Sequence, residues 1–186
     1  MKYTPIFQQI LQQRMLMPLM SGSPLPLPVS PLTLENAFEQ SEDCIDSQFG
    51  KACLAAAYLY LDHWDVAHRI AQNIPTSEGS YWHAIIHRRE PDYWNSKYWF
   101  RQVDDHPVFH QLASEVPSSL LATLPDKMRQ ELISNKKWDP FVFVDVCEQA
   151  AHEGKSLQKV CEQIQTIEFN LLFDYCFQRA VGKQKG

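Results

Sequence analysis

His83 and His87 stand four residues apart, and Glu90 follows three residues later. On a helix with Tyr81 at 0° and about 100° per residue, the three fall at roughly 200°, 240° and 180°, on one stripe. Neutral imidazoles and carboxylates are ordinary ligands of a divalent metal, and an imidazole can also move a proton near neutral pH. His83, His87 and Glu90 are therefore the candidate metal ligands. Arg88, Arg89, Lys97 and Arg101 interleave with them or follow closely, and a guanidinium fork matches a carboxylate or phosphate. A small anionic molecule is thus the second candidate ligand. His106 joins the candidate pocket, with Trp82 and Trp99 as its walls. Arg88 and Arg89 project toward the apolar arc of Tyr81, Trp82, Ala84, Ile85 and Ile86, where an unpaired charge is costly. They need partners, and Asp92, Glu90, Asp104 or an anionic ligand would serve.

The surrounding segment is unusual in composition. Residues 80–110 hold eight of the 22 aromatic residues, three of the five tryptophans and four of the seven histidines. Two plainer readings stand beside the ligand site. A histidine pair on a polar stripe is also what a solvated surface or a structural polar network presents, and aromatic residues at helical spacing also build a core.

Other chemistries lack their motifs. The His83–His87 pair has Ala84 and Ile85 where a zinc protease needs its Glu. Paired Glu-x-x-His for a di-iron centre, phosphate and dinucleotide loops and a nucleophile elbow are missing. The five cysteines form no C-x-x-C pair, and four of them lie in apolar helical patterns, which reads as reduced, buried thiols. Glu168 and Asp174 sit in a long apolar pattern, as ion partners of Arg88, Arg89 or Arg101 or, unpaired, as acid–base candidates.

The elements that must position these groups read as helices throughout. Residues 3–17 have helical spacing. Residues 18–34 carry Pro18, Pro24, Pro26, Pro28 and Pro31 among apolar residues, which reads as an extended arm. Residues 35–50 hold five acids and no base, a solvated helical face. Ala52–Leu61 is apolar on all sides and reads as a central helix, with Asp65–Asn73 antiparallel to it. Ser80 can cap a helix over Tyr81–Glu90, and a further helix spans Asn95–Val103. Asp139-Pro140 opens a helix that stops at Gly154. Ser156 can cap the last one, which ends at Gly182. Strand-like alternation of useful length is missing, and the capping signal at Asp139 outweighs the β-like Phe141–Val144.

Leu54–Ile70 and His83–Trp99 align weakly at an offset of 29 residues, with Ala67 on Ser96. The piece Asn95–Arg101 resembles the second helix of tetratricopeptide-type repeats, which implies antiparallel helix pairs. The block Gly79-Ser80-Tyr81-Trp82-His83-Ala84-Ile85-Ile86-His87-Arg88-Arg89-Glu90-Pro91-Asp92, with Asn95–Arg101, His106–Phe109 and the terminal Leu171–Cys176, resembles a block in a group of microbial proteins without an assigned activity. That resemblance implies a shared all-helical unit and no reaction.

The expected fold is all-α: antiparallel, repeat-like helical hairpins in a single compact domain over 35–182, preceded by a helix and proline-rich arm over 1–34. The formal charge of −5 argues against binding nucleic acid by bulk electrostatics. The run Leu16–Met20 is broken by Pro18 and too short for a membrane span or a clean secretory signal, so a cytoplasmic protein is expected. Two functions remain. One is a His/Glu/Arg-lined pocket for a metal ion or small anion. The other is a protein-interaction module taking a peptide on an aromatic-rich concave face, with the arm filling that groove in cis or in a second copy as a homo-oligomer.

Overall fold

The computed structural model describes residues 5–39 and 44–182, and every count below refers to those residues. It contains eleven helices and one short hairpin. The helices before the hairpin are α1 (Pro5–Leu11), α2 (Pro31–Glu39), α3 (Ser47–Tyr60), α4 (Trp64–Ala71), α5 (Ser77–Arg89), α6 (Tyr93–Phe100), α7 (Pro107–Glu115), α8 (Ser118–Leu121) and α9 (Asp126–Leu132). The hairpin is β1 (Ile133–Ser134) with β2 (Lys137–Trp138), followed by α10 (Pro140–Glu153) and α11 (Lys155–Ala180). The pairs α3–α4, α5–α6 and α10–α11 pack as hairpins, as the alternation of helical runs and turn residues predicts. No described helix is long and apolar enough to cross a membrane.

Local chemistry explains the boundaries. The Asp46 carboxylate accepts from the backbone N–H of Gln48 and Phe49 and so caps α3. Asp139 does the same for Phe141 and Val142 at α10, with Pro140 in the first turn. Four alanines of α3, at 52 and 55–57, are fully buried and let α2, α4, α5 and α11 approach its axis. Gly154 holds a backbone at φ 110° that other residues rarely adopt, and this separates α10 from α11.

Several expectations need correction. The first helix ends at Leu11, not Met17. The Tyr60 hydroxyl donates to the carbonyls of Leu11 and Arg14, Arg14 reaches Asp62, and Met17 and Leu19 enter the core, so the chain leaves helical geometry. α5 starts at Ser77, and Ser80 lies inside it. Gly79 is also helical. A Cβ there would stand 2.4 Å from the Ile74 carbonyl oxygen, so the glycine serves a close approach. Ser156 makes no cap, since α11 already begins at Lys155. The short strands escaped the sequence reading because two residues show no alternation. Asn135 and Lys136 turn between them at φ 52° and 61°. Of the acidic stretch, Glu42 and Asp43 lie outside the described residues.

Residues 12–30 run as an irregular strap bound along the same chain. Its polar backbone is tied to three places: α11, the end of α5 and the α3–α4 turn. Leu25, Leu27 and Val29 pack against the core.

Candidate metal centre

α5 is enclosed by α3, α4, α6 and the strap, and α11 lies across the Arg88 and Tyr81 side of it. Every residue from Tyr81 to Arg89 is buried. The stripe that carries His83 and His87 therefore does not face water, as a helical projection of one element suggests. It faces α4 and α6. The projection fails because both sides of α5 bury polar groups against partners that lie elsewhere in the chain.

On that side α4 contributes His68, the residue the sequence reading missed. His68 Nε2 and His83 Nε2 are 2.9 Å apart. His68, His83 and His87 each offer a ring nitrogen, and these atoms all lie within 4.8 Å of one another. The His83 and His87 rings stack at a centroid distance of 4.8 Å, with the His68 ring nearly perpendicular to both. Trp99 of α6 stacks on His83 at 4.0 Å. The histidine ring is thus sandwiched by aromatic surface and edged by a second imidazole. The signal for His68 was thin: four of the seven histidines, at 63, 68, 83 and 87, crowd one stretch of 25 residues.

Burial lowers the pKa of His83 to about 3, with His68 and His87 adding to the effect. Burial also lowers that of His68, reinforced by His87 and opposed by Glu90 and Asp65. Both rings are neutral at neutral pH, the form that coordinates metals. The contact between two neutral Nε2 atoms is a hydrogen bond in which one ring donates and the other accepts. The Nδ1 atoms of His83 and His87 are buried and make no hydrogen bond. His87 Nδ1 lies 3.3 Å from Glu90 Oε2 and 3.7 Å from Asp92 Oδ2, so a small ring rotation would complete an N–H···O bond.

The donor set fits a metal in chemistry and nearly in spacing. Tetrahedral zinc with nitrogen ligands at about 2.0–2.1 Å places those nitrogens about 3.3 Å apart. The His68–His83 pair would open by about half an ångström, and the wider pairs would close, through side-chain rotation.

The other expected site residues go elsewhere. Glu90 touches the cluster through His87, and Trp99 walls it. Arg88 is fully buried in an ion pair with Glu168, which also accepts from Tyr81, and bonds Gln165 as well. Arg89 is equally buried and donates to Asp62, to the Leu59 carbonyl and to the Pro18 carbonyl. Both guanidinium charges are answered inside the chain, so neither presents a fork to an external anion. Lys97 pairs with Asp145, and Arg101 lies 6.0 Å above the Phe141 ring. Trp82 is core, against Phe169. His106 caps α7: its Nδ1 accepts from the Val108 N–H, which puts the ring proton on Nε2, 3.5 Å from Glu78.

The five cysteines form no disulfide, and Cys53, Cys147, Cys161 and Cys176 are buried. Burial pushes the thiols of Cys53, Cys147 and Cys176 upward, which makes them poor nucleophiles.

Comparison with protein-family models, curated proteins and solved structures finds no match.

Proposed function

We propose that this protein binds a divalent transition-metal ion through His68, His83 and His87. The observation that carries the reading is the convergence of three imidazoles from two helices, all within 4.8 Å, in a largely buried place. An ion held by all three rings would replace the one His68–His83 hydrogen bond with three coordinate bonds. Glu90 and Asp92 stand where carboxylates orient metal-bound histidines, on His87 Nδ1, leaving Nε2 to coordinate. Glu90 then acts as an orienting partner of His87 in place of the ligand role that its spacing suggests.

Charge favours a cation. Asp65 and Glu90 act on His68, and Asp92 stands beside His87, while the arginines of α5 are engaged elsewhere. Nitrogen donors without sulfur suit zinc, nickel or copper. Three ligands leave a position for water or another small ligand, as in catalytic sites of this coordination number. Metal-free protein titrated with Zn²⁺ or Co²⁺ should bind one equivalent. His68→Ala and His83→Ala should each weaken binding at least about 100-fold. Unchanged binding in both variants would end the reading.

A second reading draws on α6. Trp94 is 71% exposed, Tyr98 is 44% exposed, and their rings stack at 6.2 Å. This exposed pair favours a peptide-binding face, which Trp94→Ala together with Tyr98→Ala would abolish while sparing metal binding.

A further inference from the structure

The strap joins the two helices that carry the three histidines. Ser21 N–H donates to the carbonyl of Arg89, the last residue of α5. Four residues later, Leu25 N–H donates to the Leu61 carbonyl, and the His63 ring hydrogen-bonds the Leu25 carbonyl. Leu61–His63 is the turn that leads into α4, with His63 as its N-cap residue. Four residues of extended chain reach at most about 14 Å, so this short length fixes the end of α5 against the start of α4.

The Asp62 carboxylate doubles the link. Its Oδ2 accepts from Arg14 of the strap at 2.7 Å, and its Oδ1 accepts from Arg89 of α5 at 2.6 Å. Asp62 itself sits at φ 59°, a left-handed conformation unusual for a residue other than glycine, asparagine or aspartate. Pro18 places its carbonyl between Arg89 and Gln165 of α11, which anchors the strap from behind. His68 lies only five residues beyond His63, and His87 only two residues before Arg89. The strap therefore meets both helices close to the ligands.

We infer that residues 14–25 act as a tether that sets the spacing of α4 against α5, and with it the metal affinity of His68, His83 and His87. The inference rests on the metal reading above. Opening the tether lets α4 move off α5, and His68 is the ligand lost first, since it alone comes from α4. Coupling between the two is reciprocal: a bound ion must hold the strap down by the same factor by which the strap tightens the ion. The site thus carries a built-in means of release, worked from the N-terminal segment.

The test uses the full chain and Co²⁺ as the probe, followed by its visible absorption. Arg14→Met removes the outer ion pair and keeps the apolar stem. Leu25→Pro removes one backbone donor in a segment already rich in proline. Asp139→Ala, a cap variant at the start of α10 that touches neither the strap nor the three histidines by any hydrogen bond, controls for lowered stability alone. The combined strap variant should keep its far-UV circular dichroism and bind Co²⁺ about tenfold more weakly, while Asp139→Ala binds as the unaltered protein does. Co²⁺ should also slow tryptic cleavage after Arg14 in the unaltered protein. Equal Co²⁺ affinity in strap variant and unaltered protein, or cleavage indifferent to Co²⁺, would overturn the tether. Failure of the unaltered protein to bind Co²⁺ at all would overturn the metal reading itself, a separate and recognisable result.

Discussion

Arg88 and Glu168 form an ion pair with both side chains wholly withdrawn from solvent, joining the C-terminal end of α5 to the middle of α11. Tyr81 and Gln165 complete its hydrogen bonding, and the guanidinium lies 4.6 Å from the Phe143 ring. Taking one member away strands the other in the core. Glu168→Ala should lower unfolding free energy by about 3–5 kcal/mol. The paired replacement Arg88→Met with Glu168→Leu should recover most of that loss. Urea denaturation of the three proteins measures both, and a mild Glu168→Ala would show the pair to be better hydrated than its burial indicates.

Glu78 sets an acid limit. Burial opposes its ionisation, but the His106 ring 3.5 Å away, Thr76 and the local backbone outweigh that and hold its pKa down to about 2, below the ordinary 4.5. A carboxyl depressed on folding stabilises the native state fully above pH about 4.5, and that stabilisation disappears as pH falls through about 2. Glu78→Gln should therefore lower the denaturation midpoint at pH 7 and flatten its dependence on pH between 4.5 and 2. Parallel pH profiles in both proteins would contradict this.

Trp99 offers a direct view of the proposed centre. Its ring lies 4.0 Å from that of His83, so Cu²⁺ or Ni²⁺ held by His83 should quench its fluorescence. Trp99→Phe should remove most of the metal-dependent signal and leave the stoichiometry at one. A signal that survives the substitution would place the ion near another tryptophan.

Gly79 is a packing residue. Gly79→Ala puts a methyl group 2.4 Å from the Ile74 carbonyl oxygen, and α5 must shift or the preceding turn must yield. A loss of about 1–3 kcal/mol is expected in thermal or urea melts, against the small gain that alanine normally gives within a helix.

Much of the architecture was legible along the chain. Asp139-Pro140 and Gly154 carry their helix boundaries in their own backbone chemistry, and the alanines of α3 announce a helix with no free side. Residues whose roles depend on distant partners were not legible in the same way. Arg88 needed a counter-charge, and Glu168, 80 positions away, stood among the candidates together with Asp174; only the tertiary fold selects it for Arg88 over Arg89 or Arg101. His87 and His83 were visible as a pair, whereas His68 joins them only because α4 folds back on α5. Spacing within one helix places Glu90 beside His87, as the i,i+3 contact at His87 Nδ1 has it, but says nothing of what packs against that stripe. The same limit hid the strap. Four of the arm's prolines lie outside any helix, but Pro31 opens α2, so the arm stops short of residue 34, and its attachments to Leu61, Asp62 and Arg89 follow from the tertiary fold.

The enclosure of α5 bears on how this sequence is free to drift. A helix with one wet side accepts independent changes along that side. Between Tyr81 and Arg89 no such margin exists, so an altered residue leaves a mismatch in α3, α4, α6, α11 or the strap. Variation in this stretch should arrive as compensated pairs, with single changes behaving far from additively when combined.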